Sequence, residues 1–221
     1  MADRAVGIPV AREGVPFILA GAIPTALAFV LGWTPVGCVF GSLTLFVSWF
    51  FRNPSRTPPP GEHTVVSPGD GKVIAVQEEF EPRFLKDQAI RISIFLNVFD
   101  VHINRTPCAG TITDIAYQPG QFFAANHAEA TIRNEQNALM IETASHQKVL
   151  CAQVAGLIAR RIVCWSNPGD SIQTGERFGL IRFGSRVDLF LPKGSKVTIE
   201  VGDRVKGGET VLGELACADP S

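Results

Sequence analysis

Gly169-Asp170-Ser171-Ile172-Gln173-Thr174-Gly175-Glu176 and Gly202-Asp203-Arg204-Val205-Lys206-Gly207-Gly208-Glu209 share the pattern Gly-Asp-x-[Ile/Val]-x-x-Gly-Glu, and each leads into an apolar run. Glycine and aspartate placed around a single β-branched residue read as turn, short strand, turn. Outward from this repeat, residues 72–76, 90–96, 110–115, 138–143, 149–154 and 197–201 are rich in β-branched side chains and bounded by Gly, Pro, Asn or Asp. That pattern predicts strands. The expectation is a mainly β (α+β) domain with few helices, residues 127–134 supplying one short helical turn.

Residues 14–51 carry no charged side chain, a run too long for a soluble surface element. Trp33-Thr34-Pro35 offers a turn that splits it into arms 15–32 and 36–51. Such arms reach roughly 27 and 24 Å, against a hydrocarbon core of about 30 Å. A tight helical hairpin and a shallow re-entrant anchor both satisfy that arithmetic, and Gly21 and Pro24 weaken insertion. Arg4 and Arg12 precede the segment, and Arg52 and Arg56 follow it. Positive flanks on both sides predict that both ends stay on the cytoplasmic side of the cell (inner) membrane. The apolar stretch is too long for a cleaved signal peptide and lacks a small-residue cleavage pattern.

Residues 55–61, with three consecutive prolines, cannot continue a helix and form a stiff spacer. The expected organisation is a tail over 1–14, an anchor over 15–51, a spacer over 52–62 and a β domain over 63–221. A chain of 221 residues buries one substantial core. A formal net charge of -1 argues against a nucleic-acid partner, which calls for a concentrated basic face. The five cysteines show no Cys-x-x-Cys spacing, so neither a disulfide framework nor a zinc site is expected. A reducing compartment fits best.

The chemistry points to Gly184-Ser185, within Arg182-Phe183-Gly184-Ser185-Arg186-Val187-Asp188. Glycine leaves its carbonyl open to the hydroxyl that follows and tolerates the backbone geometry of an attack by it. An ester would replace the amide; β-elimination of that ester leaves dehydroalanine at position 185, which hydrolyses to a ketone. The other Gly-Ser pair, Gly194-Ser195, reads as an ordinary turn. Serine needs a base, and the histidines are His63, His102, His127 and His146. His102 follows the apolar run 92–98, at the end of an expected buried strand. Its ordinary pKa of about 6.5 suits proton transfer in both directions.

Five ordered segments carry a family resemblance: Phe50-Phe51-Arg52-Asn53-Pro54, Ser67-Pro68-Gly69-Asp70-Gly71, Phe99-Asp100-Val101-His102-Ile103-Asn104-Arg105, Ala155-Gly156-Leu157-Ile158-Ala159-Arg160-Arg161, and residues 175–185. Together they resemble the short class of phosphatidylserine decarboxylase proenzymes. The resemblance implies self-cleavage between Gly184 and Ser185 into a large and a small chain that stay associated. It implies a pyruvoyl cofactor made from Ser185 that forms an imine with the substrate amine and acts as an electron sink. The implied reaction is decarboxylation of phosphatidylserine to phosphatidylethanolamine at the membrane surface. Asp70 would orient His102 and stabilise its imidazolium, with Asp100 a second carboxylate able to share that role. Arg52 and Arg56 would hold the lipid phosphate or simply anchor the chain by charge. Longer members carry a second histidine where this chain has Arg105, so His102 serves alone or the division of labour differs. Association into a homo-oligomer is left open.

The Gly-Asp repeat also resembles the turns of biotinyl and lipoyl carrier domains, which are small barrel-sandwich folds. That likeness sets the expected architecture and supplies an alternative, a membrane-tethered carrier or adaptor without catalysis. Neither Met-Lys-Met nor Asp-Lys-Ala, the usual settings of a modified lysine, occurs here.

Overall fold

The computed structural model describes residues 9–120, 134–156, 161–182 and 185–216. It divides into two compact units, Met1–Ser55 and Arg56–Ser221.

The first unit contains a 3-10 turn, Arg12–Gly14, and two helices, α1 (Val15–Val30) and α2 (Thr34–Phe50). Each helix has proline in its first turn, where no intrahelical N–H is lost. Gly32, at φ 74°, makes the left-handed turn between them. The helices pack closely because two glycines leave room. A Cβ on Gly21 would stand 2.3 Å from Thr44 Oγ1, and one on Gly37 2.9 Å from the Phe29 ring. Leu19, Ile23, Leu27, Val30, Val39, Leu43 and Leu45 are exposed. The stretch Arg12–Val30 is long and apolar enough to cross a membrane by length and composition, while Thr34–Phe50 is a shorter apolar helix.

The second unit is β throughout its described residues. Its strands are β1 (Thr64–Val66), β2 (Gly71–Glu81), β3 (Asp87–Leu96), β4 (Ile103–Arg105), β5 (Gly110–Gln118), β6 (Gln136–Glu142), β7 (Lys148–Ala155), β8 (Ile162–Cys164), β9 (Ser171–Ile172), β10 (Arg177–Ile181), β11 (Ser185–Pro192), β12 (Lys196–Val197), β13 (Arg204–Val205) and β14 (Val211–Glu214). An eight-stranded antiparallel sheet runs β13-β2-β3-β11-β7-β6-β5-β9, and two three-stranded sheets run β1-β14-β12 and β4-β10-β8. The fold is mainly β, a curled half-barrel, with apolar helices N-terminal to it. The strand expected over 197–201 is shorter than its sequence suggests, since only Lys196–Val197 pairs. Of the helical turn expected over 127–134, residues 127–133 lie outside the described residues, and Asn134 forms a β-bridge.

The large sheet is built twice over, and the Gly-Asp repeat is the reason. Val205 of β13 pairs with Gly71 of β2, and Ile172 of β9 pairs with Gly110 of β5, so each repeat closes one edge. Gly202 N–H donates to Val73 O and Gly169 N–H to Ile112 O, while Gly208 N–H and Gly175 N–H reach Ser67 O and Thr106 O. Asp203 Oδ2 accepts from Glu200 N–H at 2.9 Å, and Asp170 Oδ2 from Asn167 N–H at 2.8 Å. The ladder slips between Val73 and Ala75 in one half and between Ile112 and Asp114 in the other. The pseudo-twofold therefore passes between β11 and β7, at the centre of the sheet.

Period-two alternation sets the two faces. Ile92, Ile94 and Leu96 of β3, Leu139 and Ile141 of β6, Val149 and Cys151 of β7, and Val187, Leu189 and Leu191 of β11 join one apolar core. Each such aliphatic side chain contributes about 1.5–3 kcal/mol by leaving water. A smaller cluster of Ala89, Ala138, Met140, Leu150, Ala152 and Phe190 covers part of the other face.

Candidate active site

Ser185 is the first residue of β11, paired across to Leu96 of β3 and Ala155 of β7. Alternation along β11 puts it on the core face with Val187, Leu189 and Leu191. Its Oγ is fully buried and has no hydrogen-bond partner among the described residues. A buried hydroxyl without a partner costs about 1–3 kcal/mol, and such a group in a native fold calls for a reason. Gly184, the other half of the expected scissile bond, lies outside the described residues.

His102 precedes β4 and is 3% exposed. The loop that carries it is pinned by Asp100, whose Oδ2 accepts from Asn97 N–H at 2.9 Å and whose Oδ1 pairs with Arg204 at 3.2 Å. His102 Nδ1 lies 3.0 Å from Asp100 O. A carbonyl only accepts, so Nδ1 carries the proton and the basic lone pair is on Nε2. The His102 carbonyl in turn accepts from Ile181 N–H at 3.3 Å. Ile181 ends β10, four residues before Ser185 in the sequence.

Asp70 ends the turn Ser67-Pro68-Gly69-Asp70, in which Ser67 Oγ donates to Gly69 O at 2.6 Å. Asp70 Oδ1 accepts from Gly207 N–H at 2.8 Å, and Oδ2 from Arg56 Nη2 at 2.7 Å. The other arm of Arg56 reaches Glu209 at 3.0 Å. Arg105 is buried beside this group and donates to Gly175 O at 2.9 Å. Burial, then the neighbouring Arg177 and Arg56 charges, lower its pKa to about 10. The turn is tied to β4 because Arg105 N–H donates to Pro68 O at 2.9 Å. The acceptor at His102 Nδ1 is thus the Asp100 main chain, while the Asp70 carboxylate secures Arg56 and Gly207. Arg52, in the helical unit, lies 3.8 Å over the Trp49 ring and donates to Trp49 O at 3.0 Å.

A chain of buried amides, whose members lie far apart in the sequence, crosses the core face. Asn137 Nδ2 donates to Gln153 Oε1 at 3.0 Å, and Gln153 Nε2 donates to Asn104 Oδ1 at 2.8 Å. Gln153 is in register with Val187, so it shares the core face with Ser185. Its signal was present: Gln153 is the polar member of the inward set Val149, Cys151, Gln153, Ala155. Asn104 stands inside the motif that carries His102. By contrast, a cavity of about 460 Å³ on the opposite face, lined by Glu79, Arg91, Asp188 and Phe190 among others, includes neither Ser185 nor His102. Concavity alone would point away from the chemistry; the unpartnered hydroxyl is the stronger indicator.

Comparison with known proteins identifies the family of the chain. Residues 43–213 match the family model described as phosphatidylserine decarboxylase. The chain is 48% identical over 205 residues to a phosphatidylserine decarboxylase proenzyme of Syntrophus aciditrophicus, covering 92% of this chain and 96% of that protein. It is 49% identical over 206 residues to the proenzyme of Symbiobacterium thermophilum, covering 93% and 95%. With the proenzyme of Desulfotalea psychrophila the identity is 46% over 208 residues, covering 94% and 97%.

Proposed function

Because this chain belongs to the phosphatidylserine decarboxylase family, an enzyme family, we propose that it cuts itself before Ser185 and then decarboxylates phosphatidylserine at a membrane surface. The observation that carries this reading is the Ser185 hydroxyl, buried and without a partner among the described residues at the head of a central strand. A hydroxyl held out of water, with no hydrogen bond to give up, is ready to attack.

Ser185 Oγ gives its proton to His102 Nε2 and bonds to the Gly184 carbonyl carbon; the C–N bond breaks, and the Ser185 nitrogen takes the proton. Loss of the Ser185 Cα proton then expels the Gly184 carboxylate from Cβ. Water converts the resulting dehydroalanine to a ketone with release of ammonia. The residues present fit such a group, since Ser185 is flanked by Leu96 and Ala155 and shielded from solvent. Once formed, the pyruvoyl group supplies the electron sink for loss of CO2 from a substrate amine. His102, its Nδ1 proton held by Asp100 O, moves protons at Nε2 in both stages. Asp70 acts as a positioning residue, fixing Arg56 and the turn bonded to β4.

The membrane role rests on the exposed apolar faces of α1 and α2. Arg52, stacked on Trp49 at the C-terminal end of α2, is suited to the headgroup layer, where aromatic and cationic side chains concentrate. With both helix ends flanked by arginine, we place the β unit on the cytoplasmic side.

The test is incubation of purified protein with carboxyl-labelled phosphatidylserine, alongside electrophoresis. Wild type is expected as two chains that release labelled CO2, and Ser185→Ala as one inactive chain. A Ser185→Ala protein that still releases CO2 would overturn the reading.

A further inference from the structure

Asn104 is fully buried, and its Nδ2 has no hydrogen-bond partner among the described residues. The orientation of its amide is fixed by neighbours. Val163 O only accepts and lies 3.4 Å from Gln153 Nε2, while Asn137 Nδ2 donates to Gln153 Oε1. Gln153 therefore turns its nitrogen toward Asn104, whose oxygen must face it at 2.8 Å. The Asn104 NH2 is left pointing the other way. Gly179 permits this arrangement, since a Cβ there would stand 2.9 Å from Gln153 Nε2.

The Asn104 carboxamide has neighbours on both strands that flank β11. On one side the Asn104 carboxamide is tied to Gln153 of β7. On the other, a single point beside Gly69 is 3.6 Å from Asn104 Nδ2 and 3.4 Å from the Leu96 side chain of β3. Between Leu96 and β7, in register, stands Ser185. The carboxamide thus spans the strand whose first residue holds the proposed nucleophile. Two buried groups without partners among the described residues, one a donor and one a hydroxyl, thus belong to the same end of one sheet face.

We infer that Asn104 Nδ2 is the donor that receives the oxyanion of self-cleavage, with Gln153 the positioning residue that aims it. The inference rests on the self-cleavage proposed above. When Ser185 Oγ bonds to the Gly184 carbonyl carbon, the carbonyl electron pair moves onto oxygen. Asn104 N–H hydrogen-bonds that oxygen until the pair returns and the C–N bond breaks. The proton travels from Oγ through the base to the departing nitrogen, so Asn104 neither gains nor loses one. The donor costs no rearrangement at the moment of reaction because it is already oriented and has no bond to surrender among the described residues.

The experiment follows the appearance of the two chains after synthesis of the full-length protein. Wild type, Ser185→Ala, Asn104→Leu, Gln153→Glu and the Asn104→Leu/Gln153→Glu double variant are compared, each checked for cooperative thermal unfolding. Loss of one oxyanion donor is expected to slow cleavage about 10²–10³-fold in Asn104→Leu. Gln153→Glu, whose carboxylate draws the Asn104 NH2 toward itself, is expected to slow it as well. The double variant should be no slower than Asn104→Leu alone, because Gln153 acts through Asn104. Folded Asn104→Leu cleaving at the wild-type rate overturns the inference, as does folded Gln153→Glu doing so, or additive losses in the double variant. If wild type itself never cleaves, the parent reading fails.

Discussion

His102 Nδ1 faces the Asp100 main-chain carbonyl at 3.0 Å, which fixes the tautomer of the proposed base. With Asp100 O holding Nδ1–H, replacement of His102 by Gln keeps a donor near that carbonyl but removes the base. His102→Gln is expected to slow the appearance of the small chain by about 10²–10⁴-fold, measured by electrophoresis after synthesis, with unfolding unchanged. A second residue pair carries stability instead. Arg186 and Asp188 form an ion pair at 2.9 Å, 2% and 1% exposed, on the opposite sheet face. Asp188→Asn removes the carboxylate of this buried pair, with an expected loss of about 3–5 kcal/mol in urea unfolding. At this scale the sequence was partly legible. Gly-Ser, Phe99–Arg105 and the Asp70 turn could be picked out as motifs. The commitment of Asp70 to Arg56, and the amide chain through Gln153 to Asn104, could not, because those contacts join residues far apart in sequence and follow only from strand register.

Among the elements, the twofold repetition of the large sheet makes matching demands at matching places. A Cβ on Gly71 would fall 2.2 Å from Phe95 O, and one on Gly110 would fall 2.4 Å from Glu142 O. Both contacts are with backbone, which cannot swing aside. Gly71→Ala and Gly110→Ala are each expected to cost about 1–3 kcal/mol, seen as lower denaturation midpoints. Gly71→Ala is also expected to slow maturation, since it disturbs the strand beside the Asp70 turn. Strands β2, β3, β5, β6 and β7 were readable from β-branched runs bounded by turn residues, with boundaries that the pairing extends. The two-residue strands β9, β12 and β13 are too short for any periodicity. Their existence is set by the repeat's turns and by the edge each one closes.

For the whole molecule, cysteine usage gives a measurable signature. Cys108 and Cys151 are buried in the core, and burial pushes the Cys108 thiol up to about 12 and the Cys151 thiol higher still. Cys38 is exposed. Alkylation at neutral pH is expected to spare Cys108 and Cys151 until the chain unfolds. The sign of the pH dependence follows. Thiols in the unfolded chain ionise near pH 8.5, so above that the unfolded state binds fewer protons than the folded one and stability falls as pH rises. The urea midpoint should drop between about pH 8 and pH 10, and Cys151→Ala should flatten that slope.

The central claim is that Ser185 severs the peptide bond before it and becomes a ketone. Intact-mass spectrometry of the purified, catalytically competent protein tests this most directly. The expected result is two masses, the smaller belonging to a chain that starts at residue 185 and is lighter than its serine-headed counterpart by one ammonia. A single full-length mass in a preparation that turns over phosphatidylserine would contradict it.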